Sequence, residues 1–212
     1  MHLAKELLQF GEIPFSHGVL TPLLAKYRRP NDKISEWLAN KTLIAVKRGM
    51  YVVNSMLTGR AITLPLVANQ IHGPSYVSLD YALSHYGLIP ESVHEVTSVT
   101  IRRSKTYDTP LGRFTYAHSP LSIYPLGIVS MRNEAGHFYL MASPEKALCD
   151  KLLQTANLSI HSPSAMLGYL EQDLRIDLDL TMNFDRQLLG RISTSGVKQR
   201  LLQHLCRALE QY

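Results

Sequence analysis

The chain has 212 residues, of which 45% are apolar, and it carries a formal net charge of +5. This length allows one large domain or two smaller ones, and the apolar fraction argues against wholesale disorder. No uninterrupted apolar run approaches the about 18 residues of a membrane-spanning helix, and the N-terminus lacks the features of a signal peptide. Because Cys149 and Cys206 are isolated from each other, we expect a reduced, cytoplasmic protein without a disulfide framework or a membrane partner.

The positive charge is concentrated at the start of the chain. Residues 1–60 contain nine Lys and Arg against four Asp and Glu, whereas residues 61–212 contain 13 of each kind. The whole excess of +5 therefore lies in the first 60 residues. This asymmetry favours a polyanionic partner for that segment, with a solvated basic face as the alternative.

The first predicted elements are helices. Residues 3–10 have apolar side chains at helical spacing, and so do residues 17–27. Proline is tolerated only in the first turn of a helix, so Pro22 predicts that the second helix begins near Leu20 or Thr21.

A third helix and a hairpin follow in the sequence. Asn31 or Asp32 is expected to cap the third helix. Residues 42–53, TLIAVKRGMYVV, predict two short strands around a turn at Lys47-Arg48-Gly49, where glycine supplies the positive φ that such a turn needs.

This order of helices and hairpin predicts a winged helix-turn-helix domain over residues 1–55. In such a domain a helix enters the major groove of double-stranded DNA, and basic residues at the hairpin tip contact the phosphate backbone. A protein-binding module is the alternative for the same order of elements. The candidate DNA-binding residues are Arg28, Arg29, Asn31, Lys33, Ser35, Glu36, Asn40, Lys41, Lys47 and Arg48.

The segment SLDYALSHYG, residues 78–87, brings a serine, an aspartate and a histidine together. We interpret it as a helix with Ser78 as its N-cap, Asp80 in its first turn and Gly87 at its end. Ser84 and His85 point about 100° apart on a helix, so this segment does not supply the order of groups that a catalytic triad needs.

Other signals of catalysis are incomplete. The string SPEK, residues 143–146, matches the SxxK pattern of acyl-enzyme serines, but the companion motifs are missing and Ser143 is expected to cap a helix. The string VHEVTS lacks the second histidine of a zinc-protease helix, and Cys149 lies among leucines. We therefore expect no enzymatic activity, no catalytic residue, no cofactor and no metal site.

Strand signals dominate the middle of the chain. Four segments are rich in β-branched and aromatic residues, namely EVTSVTIR, GRFTYAH, LGIVSM and HFYLMA. They predict a small, mostly antiparallel sheet with helices packed on it, and residues 162–212 predict three further helices. The chain is thus expected to be an α+β protein, with an α/β domain over residues 56–212 that ends in a helical tail.

Four strings resemble the AbiEi family of bacterial antitoxins and transcriptional regulators. They lie in order over about residues 40–155 and read VKRGMYVV, VANQIHGPSYVSLDYALSHYGLIPE, VTSVTIRRSKTYDTPLGRFTY and SPEKALCDKL. The resemblance implies a winged helix-turn-helix that represses its own operon by binding an operator with inverted repeats. It also implies the antitoxin of a type IV toxin–antitoxin system, which counteracts a nucleotidyltransferase-like toxin without binding it directly.

Three other functions remain open. A nucleic-acid-processing enzyme would use acids such as Glu145, Asp150 and Asp173. A solitary transcriptional regulator would act without a toxin, and a third class would bind only protein. Salt-dependent DNA binding without metal-dependent turnover would distinguish the repressor from the enzyme.

Overall fold

A computed structural model describes residues 7–212 as a mixed α+β protein with two β-sheets. Half of the helix expected over residues 3–10 lies outside the described residues; of the other half, residues 7 and 8 are helical, residues 9 and 10 form a turn, and Leu7 is buried. None of the helices found between residues 7 and 212 combines the length and the apolar character that crossing a bilayer requires.

The first sheet is antiparallel and has the strand order β1-β3-β2. Together with two helices it forms a small unit, the N-terminal unit, with its own apolar core around Leu20, Trp37 and Tyr51. Gly49 lies in the turn between the second and third strands with φ of +74°, as the sequence predicts. The elements of this unit are β1 (Phe15–Ser16), α1 (His17–Leu23), α2 (Pro30–Ala39), β2 (Leu43–Lys47) and β3 (Met50–Val53).

Both helix starts differ from the expectation. Helix α1 begins at His17 rather than near Leu20 or Thr21, and Pro22 lies inside it. Because α1 ends one residue after Pro22, the proline interrupts only the last turn of a short helix. Helix α2 begins at Pro30, whose fixed φ suits a first helical position, so neither Asn31 nor Asp32 is the cap.

The second sheet has six strands in the order β6-β7-β5-β4-β9-β8. The pairs β5–β7 and β4–β9 are parallel, and the other three pairs are antiparallel. The sheet is therefore mixed, and three of its five strand pairs are antiparallel, in line with the expected mostly antiparallel sheet. Its strands are β4 (Ser75–Val77), β5 (Val96–Thr100), β6 (Lys105–Thr109), β7 (Gly112–His118), β8 (Ile128–Arg132) and β9 (Phe138–Ala142).

Helices cover this sheet and form the rest of the larger unit. The last helix buries an apolar stripe, as predicted, with Leu201, Leu205 and Ala208 among its members. A π-helix (Tyr169–Asp173) interrupts the predicted helix at residues 162–174. The α-helices of this unit are α3 (Ser55–Thr58), α4 (Leu64–Ile71), α5 (Leu79–His85), α6 (Pro144–Gln154), α7 (Pro163–Gly168), α8 (Leu178–Thr181), α9 (Arg186–Ser193) and α10 (Gln199–Gln211).

The hairpin β2–β3 belongs to both cores. Leu43 and Val53 are buried in the core of the N-terminal unit, whereas Val46 and Val52 are buried in the larger core. The two units are thus joined by continuous packing through one hairpin, and a domain boundary near residue 55 remains a prediction.

Candidate nucleic-acid interface

Helix α2 presents a polar face to solvent. Its apolar side chains Ile34 and Trp37 are buried, which leaves Asn31, Ser35 and Asn40 exposed on the outside. The Ser35 hydroxyl donates to the Asn31 carbonyl at 3.0 Å. The Asn40 side-chain oxygen accepts from the Thr42 amide at 3.0 Å, which ends the helix and leads the chain into β2.

The cations around α2 differ in how far acids neutralise them. Arg28 is exposed, and Arg29 lies 3.7 Å from Asp32 in a fully solvated pair, which is a weak interaction. The Lys33 amine lies only 2.6 Å from the Glu36 carboxylate, so its charge is already balanced. Lys41 is exposed at the end of the helix.

His17 connects the hairpin tip to the start of α2. Its backbone amide donates to the Gly49 carbonyl at 2.8 Å. Its ring Nε2 lies 2.9 Å from the side-chain oxygen of Asn31. Arg48, which is exposed and precedes Gly49, therefore stands close to the first turn of α2.

Lys47 lies at the junction of the two units rather than at the outer tip. Its amine donates to the backbone carbonyl of Ile71 in α4 at 2.5 Å. Burial lowers the pKa of the Lys47 amine, and the neighbouring charges of Lys105 and Arg102 lower it further. This position gives Lys47 a structural partner and makes it a poorer phosphate ligand than the sequence pattern predicts.

The surroundings of Lys47 include basic residues that the net charge of residues 61–212 does not reveal. Arg102, Arg103 and Lys105 are exposed where β5 turns into β6, beside the hairpin. The ring Nδ1 of His118 lies 3.1 Å from the Arg102 carbonyl, and its backbone amide donates to the Ser104 hydroxyl at 3.0 Å, so this connection is held to β7. The string IRRSK is the sequence signal, but the acids of residues 61–212 cancel it in the sum.

We call Arg48, Arg102, Arg103 and Lys105 the basic surface. Within residues 7–212, none of these four side chains forms an ion pair with an acid. Exposed cations without an acidic partner are available to neutralise the phosphates of a polyanion. The surface therefore has the charge and exposure that a nucleic-acid backbone requires.

The SxxK interpretation fails on geometry. The Ser143 hydroxyl accepts from the Lys146 backbone amide at 3.4 Å and caps α6, as the sequence predicts. The Lys146 amine points elsewhere, 2.9 Å from an Asp150 oxygen and 3.1 Å from the Ile123 carbonyl, which accepts its hydrogen bond. Both charges are enclosed, with 0% of Lys146 and 2% of Asp150 exposed.

Ser78 precedes α5, as expected, but its side chain does not cap the helix. The Ser78 hydroxyl donates to Asp150 at 2.8 Å, beside the Tyr76 hydroxyl, which donates to the same oxygen at 2.9 Å. Ser78 is thus the N-cap residue of α5 by position, as predicted, but the predicted side-chain cap is absent, because the hydroxyl is oriented toward the buried carboxylate to which it donates. Ser78, Tyr76, Lys146 and Asp150 form what we call the buried cluster.

The three acids of the enzyme alternative have separate surroundings. Asp150 lies in the buried cluster, where burial raises the pKa of its carboxyl and the Lys146 charge opposes that rise. Glu145 accepts from the Asp185 backbone amide at 2.9 Å, and Asp173 is exposed at the end of the π-helix.

In comparisons with known proteins, no protein-family model matches the chain and no curated protein has significant sequence similarity to it.

Proposed function

We propose that the protein is a DNA-binding transcriptional repressor that also acts as an antitoxin. The observation that carries the DNA-binding part is the basic surface, four exposed cations without an acidic partner among the described residues. Such cations gain free energy from neutralising phosphates and releasing counterions, and this gain does not depend on base sequence.

The order of elements in the N-terminal unit supports a winged helix-turn-helix. Strand β1, helices α1 and α2 and the hairpin β2–β3 follow one another as in that motif. In this proposal α2 enters the major groove, and its exposed Asn31, Ser35 and Asn40 read base edges. Arg48 at the hairpin tip contacts the phosphates, while Arg28 and Arg29 hold the backbone beside α2.

The larger unit extends the phosphate-binding surface in this proposal. Arg102 and Lys105 lie close enough to Lys47 of the hairpin to lower its pKa, and Arg103 lies between them in the sequence, so a duplex lying along the hairpin would meet this segment as well. Because the hairpin is buried in both cores, the two parts of this surface would keep a constant spacing on the duplex.

The decisive experiment measures the affinity of the full chain for duplex DNA at several salt concentrations. We expect a linear fall of log affinity with log salt, and each phosphate contact removed should reduce the slope by about 1. Arg48→Gln and the double variant Arg102→Gln/Arg103→Gln should each weaken binding to all duplexes alike. The exposed pair Arg191→Gln/Arg200→Gln, far along the chain on α9 and α10, is the charge-matched control.

Two results would contradict the DNA-binding proposal. One is equal loss of affinity in the control and in Arg102→Gln/Arg103→Gln, which would indicate a general effect of net charge. The other is full affinity of the Arg48 variant at physiological salt. Substitution of Asn31 or Asn40 by alanine should also change the rank order among duplex sequences, whereas loss of affinity without a change in rank would exclude base reading by α2.

The antitoxin part rests on the resemblance of four strings to AbiEi proteins. It is tested by co-expressing the chain with a nucleotidyltransferase-like toxin encoded beside its gene and measuring growth. We expect protection, and we expect Arg48→Gln to lose repression while it keeps protection. Growth arrest in the presence of the folded wild-type chain would favour a solitary regulator.

A further inference from the structure

A cleft of about 810 Å³ lies between the start of the N-terminal unit and the β8–β9 turn. Arg60 approaches it from the connection after α3, and Arg132 and Asn133 approach it from the turn. His85 at the end of α5 and Tyr139 of β9 also line the cleft. This volume falls within the roughly 300–1,000 Å³ that is usual for small-molecule sites.

The floor of the cleft is ordered and its acid is already satisfied. Glu12 is 3% exposed, and its carboxylate accepts a hydrogen bond from Asn133 and lies 3.0 Å from the His137 ring. Asn133 also donates to the Thr63 hydroxyl at 2.8 Å. The buried Glu12 charge is therefore bound by neighbouring side chains rather than directed into the cleft.

Two arginines without an acidic partner among the described residues line the cleft, Arg60 and Arg132. Arg132 packs over the Phe138 ring at 5.8 Å and against the turn at Gly136, and Arg60 follows Gly59, whose φ is +65°. In the described part of the chain neither arginine forms an ion pair. A planar guanidinium fork fits the oxygens of a phosphate, and two forks at one cleft favour a doubly charged anion.

Two aromatic rings and one acidic side chain also line the cleft. The rings are those of His85 and Tyr139, and burial raises the pKa of Tyr139, so its hydroxyl stays a hydrogen-bond donor. The acidic side chain is that of Glu134, which is exposed like Arg60 and Arg132, so solvent weakens its repulsion of a phosphate as it weakens the attraction of the two arginines.

We propose that this cleft binds a small phosphate-bearing ligand of nucleotide size. Arg60 and Arg132 hold the phosphates, and His85 and Tyr139 lie against the planar base. The site uses none of the residues of the basic surface, so it is independent of DNA binding.

Calorimetric titration of the full chain, without DNA, with ADP and with pyrophosphate tests this proposal. We expect saturable binding of both probes, with ADP bound more tightly because only ADP has a base. Arg60→Gln/Arg132→Gln should weaken both probes roughly tenfold or more. His85→Ala should weaken ADP alone, and Arg191→Gln/Arg200→Gln should bind both probes as the wild type does.

Three results would overturn the proposal. The first is the absence of saturable ADP binding by a wild-type chain that melts cooperatively. The second is equal weakening in the two arginine double variants, which would indicate a general charge effect. The third is equal affinity for ADP and pyrophosphate. This result would show that the base contributes nothing to binding and would exclude a ligand of nucleotide size. Because no DNA is present, these outcomes are separate from those of the repressor experiments.

Discussion

The hydroxyl of Thr97 closes the first turn of α5 from a neighbouring strand. It accepts from the Tyr81 backbone amide at 3.1 Å and donates to the Ser78 carbonyl at 2.6 Å. It thus performs the task of an N-cap without belonging to the helix, and it leaves the Ser78 hydroxyl available to the buried Asp150 carboxylate. Two hydroxyls in contact with one helix start therefore stabilise different parts of the fold.

These two hydroxyls should differ in their contribution to stability. Thr97→Val keeps the shape and removes the cap, so we expect a loss of about 1 kcal/mol in the free energy of unfolding. Ser78→Ala removes a hydrogen bond to a buried charge, for which about 1.5–3 kcal/mol is expected. Urea unfolding measures both, with Ser92→Ala at an exposed site as the control. A smaller loss for Ser78→Ala than for Thr97→Val would contradict this assignment.

Cys149 should be chemically inert in the folded protein. It is fully buried on α6, and burial raises the pKa of its thiol, so the thiolate is scarce at neutral pH. We expect iodoacetamide at pH 8 to leave Cys149 unmodified until the chain is unfolded with urea, as read by peptide mass spectrometry. Rapid native alkylation at Cys149 would show that the α6 environment opens readily. Cys206, which is only partly buried, serves as the internal comparison.

At the scale of elements, α6 is anchored through its polar groups as well as its apolar face. Lys146 and Asp150 lie one turn apart on it, and Asp150 binds Tyr76 of β4 and Ser78 at the start of α5. The buried cluster therefore joins a helix, a central strand and a second helix. Its partners are separated by about 70 residues in the sequence, so no local pattern identifies them.

Single and double substitutions of Lys146 and Asp150 should distinguish the stabilisation that the ion pair provides from the cost of burying its two charges. Lys146→Met or Asp150→Asn alone leaves a charge enclosed without its partner, and we expect each to cost about 3–5 kcal/mol. The double variant Lys146→Met/Asp150→Asn should be destabilised by less than the sum of the two single changes, because no buried charge remains. Additive effects in urea unfolding would mean that the two charges do not stabilise each other.

At the scale of the whole molecule, the hairpin β2–β3 makes the two units interdependent. Val46 and Val52 are buried in the larger core, and Glu12 bonds directly to Asn133 and His137 of the larger unit. The full chain should therefore unfold in one cooperative transition, despite its two sheets.

The isolated segment 1–55 should be less stable than the same residues in the full chain. Separating this segment from residues 56–212 exposes Val46 and Val52 to water and removes the carbonyl group to which the Lys47 amine donates. Thermal circular dichroism of the segment should show a lower melting temperature than the full chain. Equal melting temperatures, or two resolved transitions in the full chain, would show that the units are energetically independent.

Local patterns in the sequence predict most elements of this protein. The apolar stripe of α10, the Ser143 cap, the hairpin with Gly49 and the end of α5 at Gly87 each depend on residues a few positions apart. Strand β4 escapes prediction because three residues are too short to show a period, although it lies in the centre of the larger sheet.

Only the tertiary structure decides which distant groups meet. The sum of charges over residues 61–212 conceals Arg102, Arg103 and Lys105, because a sum does not record that acids and bases lie on different surfaces. The partner of Ser78, the burial of Lys47 and the unpaired arginines of the cleft also depend on contacts across tens of residues. The sequence by itself thus determined most of the elements and a basic N-terminus. Packing decided where the charges are exposed, since it sets which side chains lose water and which remain available to a partner.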